Sequence, residues 1–304
     1  MISNIVFLKP ILIHKDWGNN DLAQYGYKED GIDVGELILL SDSEDVSNQI
    51  INTNFVYDDL NFLYKHNKKF FNSKTGSIPI TIKIINPKVD LDLMLSVDSK
   101  NTKYYSIKGN EIAQNKLWIS LNKNKQIVVY NHKCGSKKNV EEFLENLNDK
   151  YLNIVELDYL NALVINQNVI NQIKQNDIIF EISCKNGIEL NLNDLYQQEL
   201  KKQTFDYLSN SFHSSLTHQY QLLDKENDDY LANNQYFATK IINHVGLEYY
   251  NFKIGVITHV FVVEGEGKIN SFSISTGSNF IIKNNVDIQI VGVLKMIVTH
   301  IFDK

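Results

Sequence analysis

The sequence of 304 residues contains no arginine, so lysine alone supplies its basic total of 30. A mechanism that needs the planar guanidinium group to hold a phosphate or a developing oxyanion is therefore excluded. The net charge is −6, and the lysines form no basic stripe. This charge distribution argues against nucleic acid as a partner. The chain also lacks a glycine-rich phosphate loop before a helix and a carboxylate pair that would suggest glycosidase chemistry.

Cysteine and long apolar runs are equally scarce. Cys134 and Cys184 lie far apart and outside any metal-binding spacing, which predicts two reduced thiols. The eight histidines do not pair at ligand spacing on a recognisable element. No window approaches the roughly 18 apolar residues of a transmembrane helix, and residues 1–10 lack the features of a signal peptide. Together these absences predict a cytoplasmic protein with no membrane partner.

The first two thirds of the chain alternate β-branched and polar residues in short runs, which is typical of strands. The predicted strands are Gly35–Leu40, Ile78–Ile85, Leu91–Val97, Leu117–Leu121, Ile127–Tyr130, Ala162–Ile165 and Ile178–Ile182. Apolar residues at helical spacing predict amphipathic helices over Asp58–Phe71 and Ser136–Leu147. Asn193–Asn234 contains neither glycine nor proline and predicts a helical or connecting segment at a domain boundary.

The C-terminal third predicts close-set strands and no helix. These strands are Tyr249–Ile254, His259–Val263, Lys268–Ile274, Asn279–Ile282, Asp287–Val291 and Leu294–Phe302. Glycines predict hairpin turns at Val263–Lys268 and at Ser275–Asn279. Short strands joined by tight turns favour a small antiparallel sandwich or barrel of the jelly-roll type.

Several motifs follow one another along nearly the whole chain. They are Phe7-Leu8-Lys9-Pro10 with Trp17-Gly18, then Gly35-Glu36, then Ile78-Pro79-Ile80-Thr81-Ile82-Lys83, and finally Phe261–Gly267 with Ile297–Ile301. In their order and spacing they resemble the type I mannose-6-phosphate isomerases, in particular the short bacterial form. One departure is Ile38, which stands where that family has a tryptophan.

The resemblance implies a mainly β fold of two cupin (jelly-roll) domains with a few inserted or connecting helices. It implies an N-terminal cupin domain over residues 1–192, equivalent to the isomerase catalytic domain, with helices near 58–71 and 136–147. Residues 193–234 would form the helical or connecting segment, and residues 235–304 the C-terminal cupin domain.

The same resemblance implies that the zinc ligands of the family have been replaced. The histidine of the family's Val-His-Pro motif corresponds to Ser96 in Met94-Leu95-Ser96-Val97. The glutamate of its Glu-x-Trp motif corresponds to Lys116, and the histidine of its Gly-x-x-His-Ala motif to Asn171. Serine and asparagine are poor zinc ligands, and a lysine ammonium repels the ion.

The catalytic arginine is replaced as well. The family's Thr-Tyr-Arg-x-Tyr-Asp motif corresponds to Glu189–Asp194, in which only the aspartate remains. Without the metal, the transfer of a proton between C1 and C2 of the sugar loses its Lewis acid. We therefore expect no catalytic residue, no metal and no cofactor. The residues expected around the pocket are Lys83, Met94, Ser96, Lys116, Asn171, Asn191 and Asp194.

These residues favour an isomerase-like cupin without isomerase activity, retained to bind a sugar or sugar phosphate or for regulation. One alternative is an active mannose-6-phosphate isomerase, converting mannose 6-phosphate to fructose 6-phosphate. Its zinc would be held by other residues such as Asp98, Glu111, His132 and Glu181. Another alternative is a structural or interaction protein without a small-molecule ligand.

Lys116 carries a hypothesis of its own. If its side chain points into the barrel, its buried ammonium needs oxygen acceptors, which Asp98, Glu181 or Asn171 could supply. The ammonium would then replace part of the missing positive charge. The alternative is that the flexible lysine side chain extends into solvent.

Overall fold

In this computed structural model, the residues described are 3–29, 32–51, 59–97, 116–122, 125–129, 137–147, 153–165, 170–185, 188–192, 220–223 and 230–303. The strands are β1 (Ile5–Lys9), β2 (Ile11–Asn19), β3 (Val34–Leu40), β4 (Gln49–Ile50), β5 (Ile80–Ile85), β6 (Met94–Val97), β7 (Lys116–Ser120), β8 (Lys125–Val129), β9 (Asn153–Leu157), β10 (Ala162–Ile165), β11 (Ile170–Ile173), β12 (Ile179–Cys184), β13 (Ile188–Asn191), β14 (Tyr220–Leu223), β15 (Ala232–Asn233), β16 (Phe237–Asn251), β17 (Ile257–Ile269), β18 (Phe272–Ser275), β19 (Asn279–Lys283) and β20 (Asp287–Ile301). The helices are α1 (Leu60–His66), α2 (Lys68–Phe71) and α3 (Lys137–Asn146), with a 3-10 helix over Asp21–Tyr25. No helix in these ranges is long and apolar enough to cross a membrane.

The chain forms two compact units. Unit 1 combines residues 1–86 with residues 224–304, and unit 2 comprises residues 87–223. Both ends of the chain meet in unit 1 because β1 pairs with β19 in an antiparallel register that sets Val6 opposite Ile281. The domain limits predicted from the sequence, 1–192, 193–234 and 235–304, do not coincide with these units.

Unit 1 contains a large antiparallel sheet in the order β15-β16-β20-β17-β19-β1-β4, with β18 also paired to β17. A second group of strands in this unit pairs in the order β2-β3-β5. Alternate residues of the long strands turn inward, as the two-residue period of a strand requires. The core on that face is made of Ile5, Phe252, Val260, Val262, Ile269, Ile274, Phe280, Ile282, Ile288, Ile290, Leu294, Met296 and Val298.

Unit 2 contains two groups of antiparallel strands. One pairs in the order β14-β10-β7-β12, and the other in the order β13-β6-β11-β8-β9. Every residue of β7 is buried, so this strand has packed neighbours on both of its faces. The mainly β, cupin-like fold expected from the sequence is confirmed.

The predicted helices are present, but one of them is divided. The pattern over Asp58–Phe71 forms α1 and α2, which are separated at Asn67. Asp59 caps α1 because its carboxylate accepts a hydrogen bond from the backbone N–H of Phe62 at 2.9 Å. The predicted helical or connecting segment, Asn193–Asn234, contains β14 and β15, and residues 193–219 and 224–229 lie outside the described ranges.

The prediction for the C-terminal third was wrong about how many strands the segments form. Tyr249 is part of β16, which already begins at Phe237. The segments predicted as Asp287–Val291 and Leu294–Phe302 form the single strand β20. The turn predicted at Ser275–Asn279 is confirmed, with Gly277 at a φ of 86°.

The hairpin turn predicted at Val263–Lys268 is absent, because β17 continues through it with a register shift between Val262 and Glu264. Gly265 follows this shift, in regular pairing with Leu294, and has a φ of 99°. A Cβ atom there would stand 2.0 Å from the carbonyl oxygen of Val293. The glycine therefore permits close approach of two backbones beside a bulge, and in the sequence a glycine in that role cannot be distinguished from one in a turn.

Candidate functional site

Four of the predicted pocket residues lie on one face of the β13-β6-β11-β8-β9 sheet. Opposed residues of an antiparallel pair share a face, and so do residues two apart in one strand. Asn171 and Asn191 both oppose Met94, one from each neighbouring strand. Ser96 follows Met94 by two positions in β6. Met94, Ser96, Asn171 and Asn191 therefore form one polar patch with a methionine at its centre.

Within this patch Ser96 and Asn171 contact each other directly. The Asn171 side-chain amide donates a hydrogen bond to the Ser96 hydroxyl at 3.3 Å, and both residues are buried. Asn191 instead donates to a carboxylate oxygen of Asp92 at 2.7 Å, in an exposed position. Two of the positions expected from the sequence to replace metal ligands thus hold a neutral amide and a hydroxyl that bond to each other.

A second cluster lies on β7 and β12, which are neighbouring antiparallel strands of one sheet. Glu181 opposes Trp118, and Ser183 opposes Lys116, so Lys116, Trp118 and Glu181 share one face. The Trp118 indole N–H donates a hydrogen bond to Glu181 Oε2 at 2.7 Å. Lys116 Nζ lies 3.7 Å from the same oxygen and 5.9 Å from the centre of a Trp118 ring.

The two charged side chains of this cluster are buried, and this determines what the ion pair costs and contributes. The side chains of Lys116 and Glu181 are 6% and 5% exposed. Lys116 therefore does not extend into solvent but forms an ion pair with Glu181, one of the acceptors named from the sequence. A buried ammonium and a buried carboxylate each carry a desolvation cost of several kcal/mol, so each needs the other in place.

The residues at these positions do not fit a zinc ion. Zinc takes three or four thiolate, imidazole or carboxylate ligands. In the ranges described, no three His, Cys, Asp or Glu side chains come together in a way that could hold a metal ion. The positions expected to supply ligands instead provide a hydroxyl, an amide and an ammonium, and Glu181 is engaged by Trp118 and Lys116.

The other predicted residues are placed separately. Lys83 lies on β5 of unit 1, where its Nζ is 3.4 Å from Glu36 Oε2 and both side chains are half-buried. Asp194 lies outside the described residues. So do Asp98, Glu111 and His132, which together with Glu181 were named as alternative metal ligands.

Sequence reasoning did not assign a role to two residues in these clusters. Trp118 holds the carboxylate of Glu181, and the signal for this was its place two residues after Lys116, on the same strand face. Asp92 anchors Asn191 across 99 positions of sequence, and no local pattern indicates that contact.

The sequence is 23% identical to the mannose-6-phosphate isomerase ManA of Bacillus subtilis over 148 residues. That stretch is 48% of this chain and 46% of the relative, so the match spans about half the length of each. No family model matches the sequence.

Solved structures match this chain over almost its whole length. The mannose 6-phosphate isomerase of Bacillus subtilis superposes with a TM-score of 0.81 at 16% identity, covering 98% of this chain and 100% of that one. The apo form of the Salmonella typhimurium enzyme gives a TM-score of 0.75 at 12% identity, covering 99% and 100%. The chain has the fold of these isomerases, and the family resemblance read from its motifs is confirmed.

Proposed function

We propose that this mannose-6-phosphate isomerase-like cupin lacks isomerase activity and binds a sugar or sugar phosphate in the cytoplasm. The observation that supports this proposal is the buried ion pair of Lys116 with Glu181. We take position 116 to correspond to a metal-binding glutamate of the isomerases, as the motif resemblance implies. A lysine there supplies a fixed positive charge but no vacant coordination position for a substrate oxygen.

The loss of activity follows from what the reaction needs. Moving a proton between C1 and C2 of a sugar requires stabilisation of the negative charge that develops on the carbonyl oxygen, and a metal ion does this as a Lewis acid. The ammonium of Lys116 is held by Glu181, and the chain has no arginine that could take over. The polar groups of the clusters can still bind a ligand by hydrogen bonds.

The ligand class follows from the side chains of the polar patch. Ser96, Asn171 and Asn191 offer hydroxyl and amide groups, which can each donate and accept hydrogen bonds as sugar hydroxyls do. A sugar phosphate adds a negative charge that a lysine ammonium attracts. We therefore expect neutral mannose to bind less tightly than mannose 6-phosphate.

The experiment measures binding, turnover and metal content on the same preparation. Protein purified without chelators is titrated with mannose, mannose 6-phosphate and fructose 6-phosphate by calorimetry. It is then assayed for isomerase activity with and without added zinc, and its metal content is determined by elemental analysis. We expect sugar-phosphate binding, no turnover in either condition, and well under one zinc per chain.

A variant that restores the family's ligands is the matched control. Ser96→His, Lys116→Glu and Asn171→His together should create a site that retains zinc through dialysis, because three suitable ligands are then available. About one tightly held zinc in the unmodified protein, with turnover, would establish the active isomerase instead. Absence of binding to all three sugars would favour the structural or interaction protein.

A further inference from the structure

The outer half of β16 and the adjacent part of β20 carry an exposed apolar stripe. Val245 opposes Val293 and Leu247 opposes Val291, so these four side chains share one sheet face with Tyr249. Val245 and Tyr249 are each 71% exposed, and Val293 is 64% exposed. Monomeric proteins rarely present a contiguous group of large apolar side chains on a sheet unless something binds there.

Strand β16 also has an open edge. β20 pairs with β16 along its whole length, from Phe237 to Asn251. On the opposite edge β15 pairs only with Ala238 and Thr239. In the parts of the chain that the structure describes, no strand pairs with this edge from Lys240 onward. A long edge of this kind offers backbone N–H and C=O groups to another strand, and native proteins usually block such edges.

We propose that a second copy of this chain occupies the edge, with the two β16 strands paired antiparallel across a two-fold axis at His244. Around such an axis, a residue n positions before the centre lies opposite the residue n positions after it. Lys240 and Glu248 are each four positions from His244. The axis therefore sets Lys240 of each copy opposite Glu248 of the other, forming two equivalent ion pairs.

The charges select this register. Strand β16 contains one lysine, Lys240, and one acidic residue, Glu248. Moving the axis to Asn243 would set Lys240 opposite Gly246, and moving it to Val245 would set Lys240 opposite Tyr250. Both shifts leave the ammonium opposite an uncharged residue. Glu248 Oε2 accepts a hydrogen bond from the Tyr250 hydroxyl at 2.6 Å and lies 3.6 Å from His244 Nδ1. The Glu248 side chain is nevertheless 55% exposed, so a second molecule can still reach its carboxylate.

The apolar stripe fits the same arrangement. With the axis at His244, Leu247 lies opposite Ile241 of the second copy, and Val245 lies opposite Asn243. The stripe of one copy is then extended by the half-buried Ile241 of the other, and part of its exposed surface is covered. This surface involves no residue of the sugar-binding proposal, so the two proposals stand independently.

Charge variants of the full chain test the proposal. Sedimentation equilibrium over a range of concentrations should give twice the chain mass of 35.1 kDa. Glu248→Lys sets lysine opposite lysine twice and should raise the dissociation constant at least tenfold, and Lys240→Glu should do the same with like acidic charges. The double variant Lys240→Glu/Glu248→Lys restores both pairs with reversed sign and should recover the dimer.

Glu266→Lys is the matched control, because it makes the same charge change at an exposed position of β17, away from the edge. It should leave the dissociation constant unchanged, and circular dichroism establishes that each variant is folded. A monomer at every concentration would overturn the proposal. A dimer that is indifferent to Glu248→Lys, or that the double variant does not recover, would overturn it as well.

Discussion

Replacing Lys116 with methionine tests the buried ion pair most directly, because methionine is similar in length but uncharged. The variant leaves the Glu181 carboxylate buried and without its ammonium counter-charge, although Trp118 still donates a hydrogen bond at 2.7 Å. Removing one partner from a buried pair costs about 3–5 kcal/mol, mostly for the uncompensated charge. At roughly 2–4 °C per kcal/mol for a domain of this size, Tm should fall on the order of 10 °C.

The assay is urea and thermal unfolding followed by circular dichroism, with the sugar-phosphate titration repeated on the same sample. Lys174→Met is the matched control, since Lys174 Nζ lies only 2.8 Å from Asp90 Oδ2 but the two side chains are 27% and 48% exposed. Exposed pairs contribute about 0–1 kcal/mol. Burial rather than distance should therefore decide the size of the loss.

The double variant Lys116→Met/Glu181→Gln completes the test. It removes both charges and keeps an oxygen acceptor for the Trp118 indole, so most of the lost stability should return. If Lys116→Met is as stable as the unmodified protein, or loses no more than Lys174→Met does, the ion pair has no structural role. If it also keeps its sugar-phosphate affinity, Lys116 plays no part in binding.

Three further changes probe unit 1. Burial lowers the pKa of His259 to about 4, against roughly 6.5 in an unfolded chain, so between these values only the unfolded state binds the proton. The free energy of unfolding should therefore fall as the pH drops through this window, and His259→Gln should reduce that slope in urea titrations. Gly265→Ala sets a Cβ 2.0 Å from a carbonyl oxygen, so the thermal midpoint of this variant should fall. The fall should be larger than for the control Gly26→Ala, because Gly26 also has a positive φ but has open space around the added Cβ. Equal losses in the two variants would contradict the close approach at Gly265. Although burial raises the pKa of Asp303, hydrogen bonds from the 73–75 segment hold it below its ordinary value. Asp303→Asn should thus destabilise the protein at neutral pH, with a difference that shrinks below about pH 4 as the carboxylate is protonated, and a pH-independent difference would refute this.

Local patterns determined the secondary structure where a single period was present. Ala162–Ile165 was predicted with the limits that the structure shows, and Ser136–Leu147 contains α3. Alternation and helical spacing are properties of neighbouring residues, so they can be read without knowing the fold. The family resemblance was likewise carried by short motifs in order.

Pairing between distant segments could not be read in this way. β1 joins β19 across more than two thirds of the chain, and this pairing brings both ends into unit 1. Gly265 was assigned to a turn because glycine serves turns and close backbone approach equally well. The carbonyl of Val293, which decides between the two, belongs to another strand.

For the candidate site, too, the sequence determined one part and the tertiary structure another. The sequence by itself determined that Ser96, Lys116 and Asn171 are unsuited to zinc, because that property belongs to the side chains alone. Only the tertiary structure decided what these residues do instead. Strand register brings the Asn171 amide to the Ser96 hydroxyl, and it sets Glu181 beside Lys116 so that the ammonium is buried rather than solvated. Burial of a charge depends on which acceptor the fold brings to it, and no local pattern contains that information.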